Sequence, residues 1–217
     1  IVLNLKSYKN SVGEHADKLV AAVEACKSPA VDVVVCPQAV DLRYLTGKHP
    51  EVTFFAQAVE PLEPDKNTGF VTLEAVKAAG AKGTLVNHAE HQVAFEKAAF
   101  IVDKAKRNGL KEIICAATVD EAVKLAGLKP WSVSLEPPDL IGSGVSVSSV
   151  RPELVEASVK KVKEVDAHVL ALVGAGVSTP EDFAMALDLG ADGVLLASAF
   201  VNAKDPAQWL KDFIAVV

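Results

Sequence analysis

Short apolar, β-branched runs recur at residues 1–5, 31–36, 52–56, 83–86, 112–115, 131–135, 168–173 and 193–196, each separated from the next by a segment of a dozen or more residues. That alternation limits the fold more than any other feature. Strands joined by connections of that length pair in parallel through crossovers, because hairpins need only short turns. Runs such as Val31-Asp32-Val33-Val34-Val35 are apolar almost throughout, as expected of strands covered on both faces. Eight such runs predict a (βα)8 barrel. Barrels of this kind are typically about 250 residues long and range down to about 200, so 217 residues imply a trimmed barrel with short helices. A doubly wound open sheet is the alternative, but no Gly-x-Gly-x-x-Gly follows the first run, which argues against its dinucleotide-binding form. With no linker, repeat or low-complexity tract, residues 1–217 read as one domain.

Helical segments are predicted at 16–25, 90–108, 119–126, 152–165, 180–189 and 206–213. Leu19, Ala22, Val23 and Cys26 share helical spacing, and Gly109 stops the second segment as a C-terminal cap. Thr118 followed by Glu121 has the spacing of a capping box. Pro152, Pro180 and Pro206 stand in first turns, where a missing N–H costs nothing. Thr179 and Asp205 are predicted N-caps.

Half of the residues are hydrophobic, enough for a sizeable core. No apolar run approaches the roughly 18 residues of a membrane span, and no signal-peptide pattern opens the sequence. Three cysteines, Cys26, Cys36 and Cys115, without a Cys-x-x-Cys, fit a reducing cytoplasm better than a disulfide framework or zinc site. A formal net charge of −6 argues against nucleic acid or an anionic membrane as partner.

In a parallel barrel the chemistry sits at the C-terminal strand ends. The first run ends in Asn4-Leu5-Lys6, where alternation puts Asn4 and Lys6 on one face. A lysine facing inward needs an anionic partner. The fourth run ends in Asn87-His88-Ala89-Glu90. Placed just before the predicted helix at Glu90, His88 would sit in a field that favours neutral imidazole, and Glu90 would be a first-turn carboxylate. The sixth run delivers Glu136, followed by Pro137-Pro138 and then Ile141-Gly142-Ser143-Gly144. Prolines stiffen the exit and glycines loosen the tip, the design of a lid beside a catalytic base. Gly174-Ala175-Gly176 and Ala197-Ser198 end the last two runs and could offer backbone N–H groups to a phosphate. His91 is expected to be solvated, Asp139 to face water in the lid, and Cys115 to be a core thiol without chemistry. Each residue alone also has a plain structural reading, and at this level the site is a phosphate-binding barrel enzyme transferring a proton.

Together, Asn4-x-Lys6, Asn87-His88-Ala89-Glu90-His91, Glu136-Pro137-Pro138 with Ile141-Gly142-Ser143-Gly144, Gly174-Ala175-Gly176-Val177 and Leu195-Leu196-Ala197-Ser198 resemble, in order and over the whole chain, the triosephosphate isomerase family, most of all its compact archaeal branch. The resemblance implies a TIM barrel that interconverts dihydroxyacetone phosphate and glyceraldehyde 3-phosphate through an enediolate, in glycolysis and gluconeogenesis. It implies Glu136 as base, His88 as neutral electrophile, and Lys6 and Asn4 as electrostatic and substrate contacts. Phosphate would be held around Ile141, Gly142, Gly176, Ala197 and Ser198. The neutral histidine and water-excluding lid are known features of that family, carried over as such. Neither cofactor nor metal is expected. Self-association as a homotetramer or homodimer is expected, through the loop ending at Phe70. Ala89 stands where the family commonly has Ser, and Gln92 where it often has Arg. The alternatives are a phosphate-binding aldolase, for which 131–135 lacks a lysine, and a non-catalytic sugar-phosphate binder.

Overall fold

The computed structural model describes residues 1–142 and 144–217. Its strands are β1 (Val2–Asn4), β2 (Val34–Cys36), β3 (Thr53–Ala56), β4 (Gly83–Val86), β5 (Lys111–Ala116), β6 (Ser132–Leu135), β7 (Leu170–Val173) and β8 (Gly193–Leu196). They pair in parallel, each with the next, and β1 closes on β8 with Val2 opposite Leu195. The helices are α1 (Glu14–Glu24), α2 (Ala39–Lys48), α3 (Leu73–Ala78), α4 (Phe95–Arg107), α5 (Val119–Ala126), α6 (Val147–Val150), α7 (Pro152–Val165), α8 (Pro180–Asp188), α9 (Ser198–Val201) and α10 (Pro206–Ile214). The expected (βα)8 barrel is therefore observed.

Strand alternation divides the buried side chains into two layers. Val2, Val34, Cys36, Phe55, Leu85, Ile113, Cys115, Leu172 and Leu195 fill the barrel interior. Leu3, Val35, Phe54, Val86, Ile114 and Val133 belong to the larger cluster between barrel and helices. The inner layer matters for function: it gives the C-terminal mouth a floor of low polarity. Among the described residues no helix is long and apolar enough to cross a membrane.

The predicted caps Thr179 and Asp205 accept hydrogen bonds from the N–H groups of Asp182 and Gln208. Thr118 caps α5, but Glu121 does not return to it; it accepts from Ala117 N at 2.8 Å and Asn87 Nδ2 at 3.2 Å. A second correction concerns the helix expected at 90–108. Residues 89–94 are turns and irregular backbone, and α4 starts at Phe95. Asn87 has φ +59° and its Oδ1 accepts from Val93 N, so its side chain bridges a loop where helix was expected. Helices α2 and α3 lacked a sequence signal. The first buries only Leu42 and Leu45, and the second has six residues, too few to show a period.

At the opposite end of the barrel, buried His49 ties α1 to α2. Its Nδ1 lies 2.7 Å from Glu24 Oε2 and its Nε2 3.0 Å from Asp17 Oδ1, while Lys48 Nζ meets Asp17 Oδ2 at 2.7 Å. Carboxylates only accept, so both ring nitrogens donate and the ring is an imidazolium. Burial opposes that charge, but Glu24 and Asp17 outweigh it and hold the His49 pKa above its ordinary value. A raised folded pKa stabilises fully below the unfolded value, about 6.5, and the contribution is lost as pH rises through the folded value. His49→Gln is therefore expected to destabilise by about 1–3 kcal/mol at pH 6 and by less at pH 9. Denaturant unfolding of both proteins at the two pH values checks this; an equal loss at both would contradict it.

Candidate active site

The stiff exit from β6 sets the geometry. Glu136 N continues the ladder by donating to Ala116 O at 2.7 Å. The side chain then turns into the barrel mouth, where it is 2% exposed. Space for it comes from β7's end: a Cβ on Gly174 would stand 2.3 Å from Glu136 Cγ. Neither carboxylate oxygen makes a hydrogen bond of good geometry among the described residues. Burial pushes the Glu136 pKa up to about 7, partly offset by the Cys115 thiol, the Ser134 hydroxyl and the charge of Lys6.

His88 Nε2 faces this carboxylate at 3.5 Å. Its other nitrogen, Nδ1, accepts from Glu90 N at 3.1 Å, which leaves the proton of a neutral ring on Nε2. Burial, with the nearby Lys6 charge, lowers the His88 pKa and outweighs the opposing pull of Glu90. The neutral form expected from a helix N-terminus is thus favoured by other means, since no helix starts at Glu90.

Lys6 has the anionic partner its position demands: Nζ meets Glu90 Oε1 at 2.8 Å. Lys6 takes φ +47°, and two side chains hold that backbone. Asn4 Oδ1 accepts from Lys6 N at 3.0 Å, and Gln57 Nε2 donates to Lys6 O at 3.0 Å. Asn4 does not line the cavity that holds Glu136; it faces a neighbouring one with Lys6 and His88.

Lys6, His88, Glu136, Ile141, Gly142, Gly176, Ala197 and Ser198 line one narrow cavity of about 40 Å³, so every other proposed residue is brought together. The lid crosses this cavity. Gly142 and Gly144 have φ of +71° and +73°; Ser143, expected at the tip, lies outside the described residues. The lid's return is fixed by backbone: Val147 N donates to Ala175 O at 3.1 Å, and a Cβ on Gly176 would fall 1.8 Å from Val145 O. Asp139 is exposed as expected, yet it pairs with Arg151 at 2.6 Å, which holds its carboxyl below the usual range. His91 is half-exposed as expected.

Sequence reasoning undervalued two groups. From sequence, Glu90 reads as a helix carboxylate and Cys115 as a bystander. The inward demand of Lys6 was the signal for the first. The second had only strand parity, which puts Cys115 on the same interior face as Glu136.

The family model for triosephosphate isomerase matches residues 1–216. The chain belongs to the triosephosphate isomerase family. It is 42% identical to the triosephosphate isomerase of Methanothermus fervidus over 99% of this chain and 96% of that one. With that of Methanopyrus kandleri it shares 43% over the same fractions, and with that of Methanocaldococcus jannaschii 37% over 100% and 99%. The crystal structure of triosephosphate isomerase from Bartonella henselae is 20% identical and superposes with a TM-score of 0.79, covering 100% of this chain and 97% of the other. At that identity the superposition speaks for the fold, and the archaeal relatives carry the family.

A triosephosphate isomerase with this carboxylate has a testable pH signature. With a Glu136 pKa of about 7, a reaction that needs this carboxyl ionised is expected to show kcat/KM falling as pH drops through 7 and levelling off above it. A raised carboxyl pKa also means that folding is penalised as pH rises from the unfolded value to about 7. Glu136→Gln cannot ionise, so it is expected to be more stable than the parent by roughly 3 kcal/mol well above pH 7 and by little at pH 4.5. Unfolding curves at the two pH values decide it.

Proposed function

We propose that Glu136 is the base, His88 the neutral electrophile and Lys6 the electrostatic partner in the interconversion of dihydroxyacetone phosphate and glyceraldehyde 3-phosphate, the family's reaction in glycolysis and gluconeogenesis. The observation that carries this assignment is the buried carboxylate of Glu136 facing His88 Nε2 at 3.5 Å in a cavity shared with Lys6. Glu136 removes a proton from the carbon beside the carbonyl, the carbonyl oxygen gains negative charge, and His88 Nε2–H and Lys6 Nζ stabilise it. The same carboxyl returns that proton to the adjacent carbon, while the proton of the neighbouring hydroxyl moves by way of His88 Nε2 to the former carbonyl oxygen, which completes the exchange of hydroxyl and carbonyl. Asn4 supports the reaction by fixing Lys6. Phosphate binds at the far wall, on backbone N–H groups around Gly142, Gly176, Ala197 and Ser198, with Ile141 closing above. Lid closure keeps water from the enediolate.

Residues 1–217 act as one catalytic domain, a reading supported by the closure of β1 on β8. Cys26, Cys36 and Cys115 are free and buried, which supports a reducing, cytoplasmic setting. Self-association as a dimer or tetramer is supported by loop 61–70. Buried Lys104 clamps this loop through Leu62 O at 2.6 Å and Glu63 Oε2 at 2.9 Å, yet the loop holds Phe70 56% exposed. An open cavity of about 290 Å³ beside Lys6, Gln57 and His91 is a receiving site for a second copy.

Glu136→Gln keeps the shape and removes the base. In a coupled assay for glyceraldehyde 3-phosphate its turnover is expected to fall by about 10² to 10⁴, and near-parental turnover would end the assignment. Phe70→Asp places a charge where an aromatic anchor is expected, which weakens association by about 30-fold or more. Light scattering at micromolar concentration should show the variant smaller than the parent; a parent that is already monomeric refutes the association.

A further inference from the structure

Among the described residues, the proposed base lacks a hydrogen bond of good geometry, and so does a neighbouring hydroxyl: both Glu136 oxygens and Ser134 Oγ are buried and unmatched. Unmatched donors and acceptors are rare in folded interiors, and here they adjoin. Ser134 precedes Glu136 by two residues on the same extended segment, so both side chains enter the barrel. A Cβ on Gly174 would touch both, at 2.5 Å from Ser134 Oγ and 2.6 Å from Glu136 Cδ. The Ser134 hydroxyl favours the ionised form of Glu136. Its register partner on β5, Cys115, offers only a thiol, a weaker donor.

We propose that Ser134 is a positioning residue for the catalytic base: between turnovers its hydroxyl swings onto the Glu136 carboxylate and keeps it ionised inside the apolar barrel mouth. A buried carboxyl without such a donor takes up a proton and can no longer abstract one. An O–H···O⁻ bond favours the charged form and is among the stronger hydrogen bonds. The proton stays on Ser134 throughout, and the bond is given up when substrate offers Glu136 its own proton. Ser132 provides an internal control. It is equally buried, equally unmatched and on the same face, but two residues further from Glu136, about 7 Å along the strand.

This inference rests on the reading of Glu136 as base, so the test needs a readout independent of turnover. kcat/KM is measured against pH for the parent, Ser134→Ala and Ser132→Ala. In parallel, the Glu136 carboxyl carbon is titrated by NMR, its signal identified by its loss in Glu136→Gln. Ser134→Ala is expected to move both midpoints upward by about 0.5–1 unit, a loss of about 3- to 10-fold in kcat/KM on the acid side that shrinks as pH rises. Ser132→Ala is expected to leave both in place. Unmoved midpoints in Ser134→Ala, or equal shifts in both variants, overturn the proposal. A moved NMR midpoint with an unmoved kinetic one supports the contact and refutes Glu136 as base.

Discussion

Everything at the mouth of this barrel follows from one unfavourable placement, a carboxylate inside an apolar ring. Glu136 stands above Ile113, Cys115, Leu172 and Leu195, of which the Cys115 thiol alone offers its charge a donor, and a weak one. In that surrounding the charged form is disfavoured, and the pKa rises to about 7. A base is most effective when its pKa lies near the operating pH, so on the proposed reading the penalty to folding is also the source of reactivity. The neighbours answer the same constraint. Gly174 gives up a side chain to make room, and Lys6 supplies opposite charge while Glu90 balances it.

Holding that arrangement falls to uncharged side chains on the loops. Asn87, in a left-handed backbone conformation, donates to Cys115 O and Glu121 and accepts from Val93 N. It thereby joins the ends of β4 and β5 to the loop that carries His88. Gln57 does the same between β2 and β1 through Cys36 O and Lys6 O. Each bond spans neighbouring strand ends, so the histidine and lysine are referenced to the barrel and not to flexible loop tips. That is what makes a 3.5 Å approach between His88 and Glu136 reproducible.

Much of this was legible in the sequence, and the failures have physical causes. The eight strands were readable because their runs are mostly apolar and β-branched, and β4 and β8 begin and end at the predicted residues. Helices starting with proline or a hydroxyl cap were placed well, as at Pro152 and Pro180. The start of α4 was missed because Ala94, its N-cap, makes no side-chain cap and carries no signal. Residues 88–94 look helical by composition, but their backbone is claimed by Asn87, a contact no local pattern encodes. At the site, strand parity located Glu136; Lys6 stands two residues beyond β1 with φ +47°, so that turn and not alternation aims its side chain. The room that Gly174 makes for Glu136 and Ser134 depends on register between β6 and β7, which only the closed barrel defines.

The far wall of the cavity uses a different chemistry from the near one. Among its lining residues, Gly142, Gly144, Gly176, Ala197 and Ser198 bring backbone and small side chains, and Lys6 is the lysine. On the proposed reading, a phosphate there meets amide dipoles instead of a full positive charge. That distinction bears on turnover. A full charge on the phosphate would hold substrate, intermediate and product alike, and uniform tightening slows release without lowering the barrier. Amides bind the phosphate by direction, and some of them belong to a lid that must arrive before they count. Because Val145 O lies against Gly176, where any Cβ would collide, the returning lid is held to the wall that contributes the other amides. On the proposed reading, phosphate binding and lid closure are then one event, and closure completes the water-free surroundings in which the carboxylate of Glu136 takes its proton.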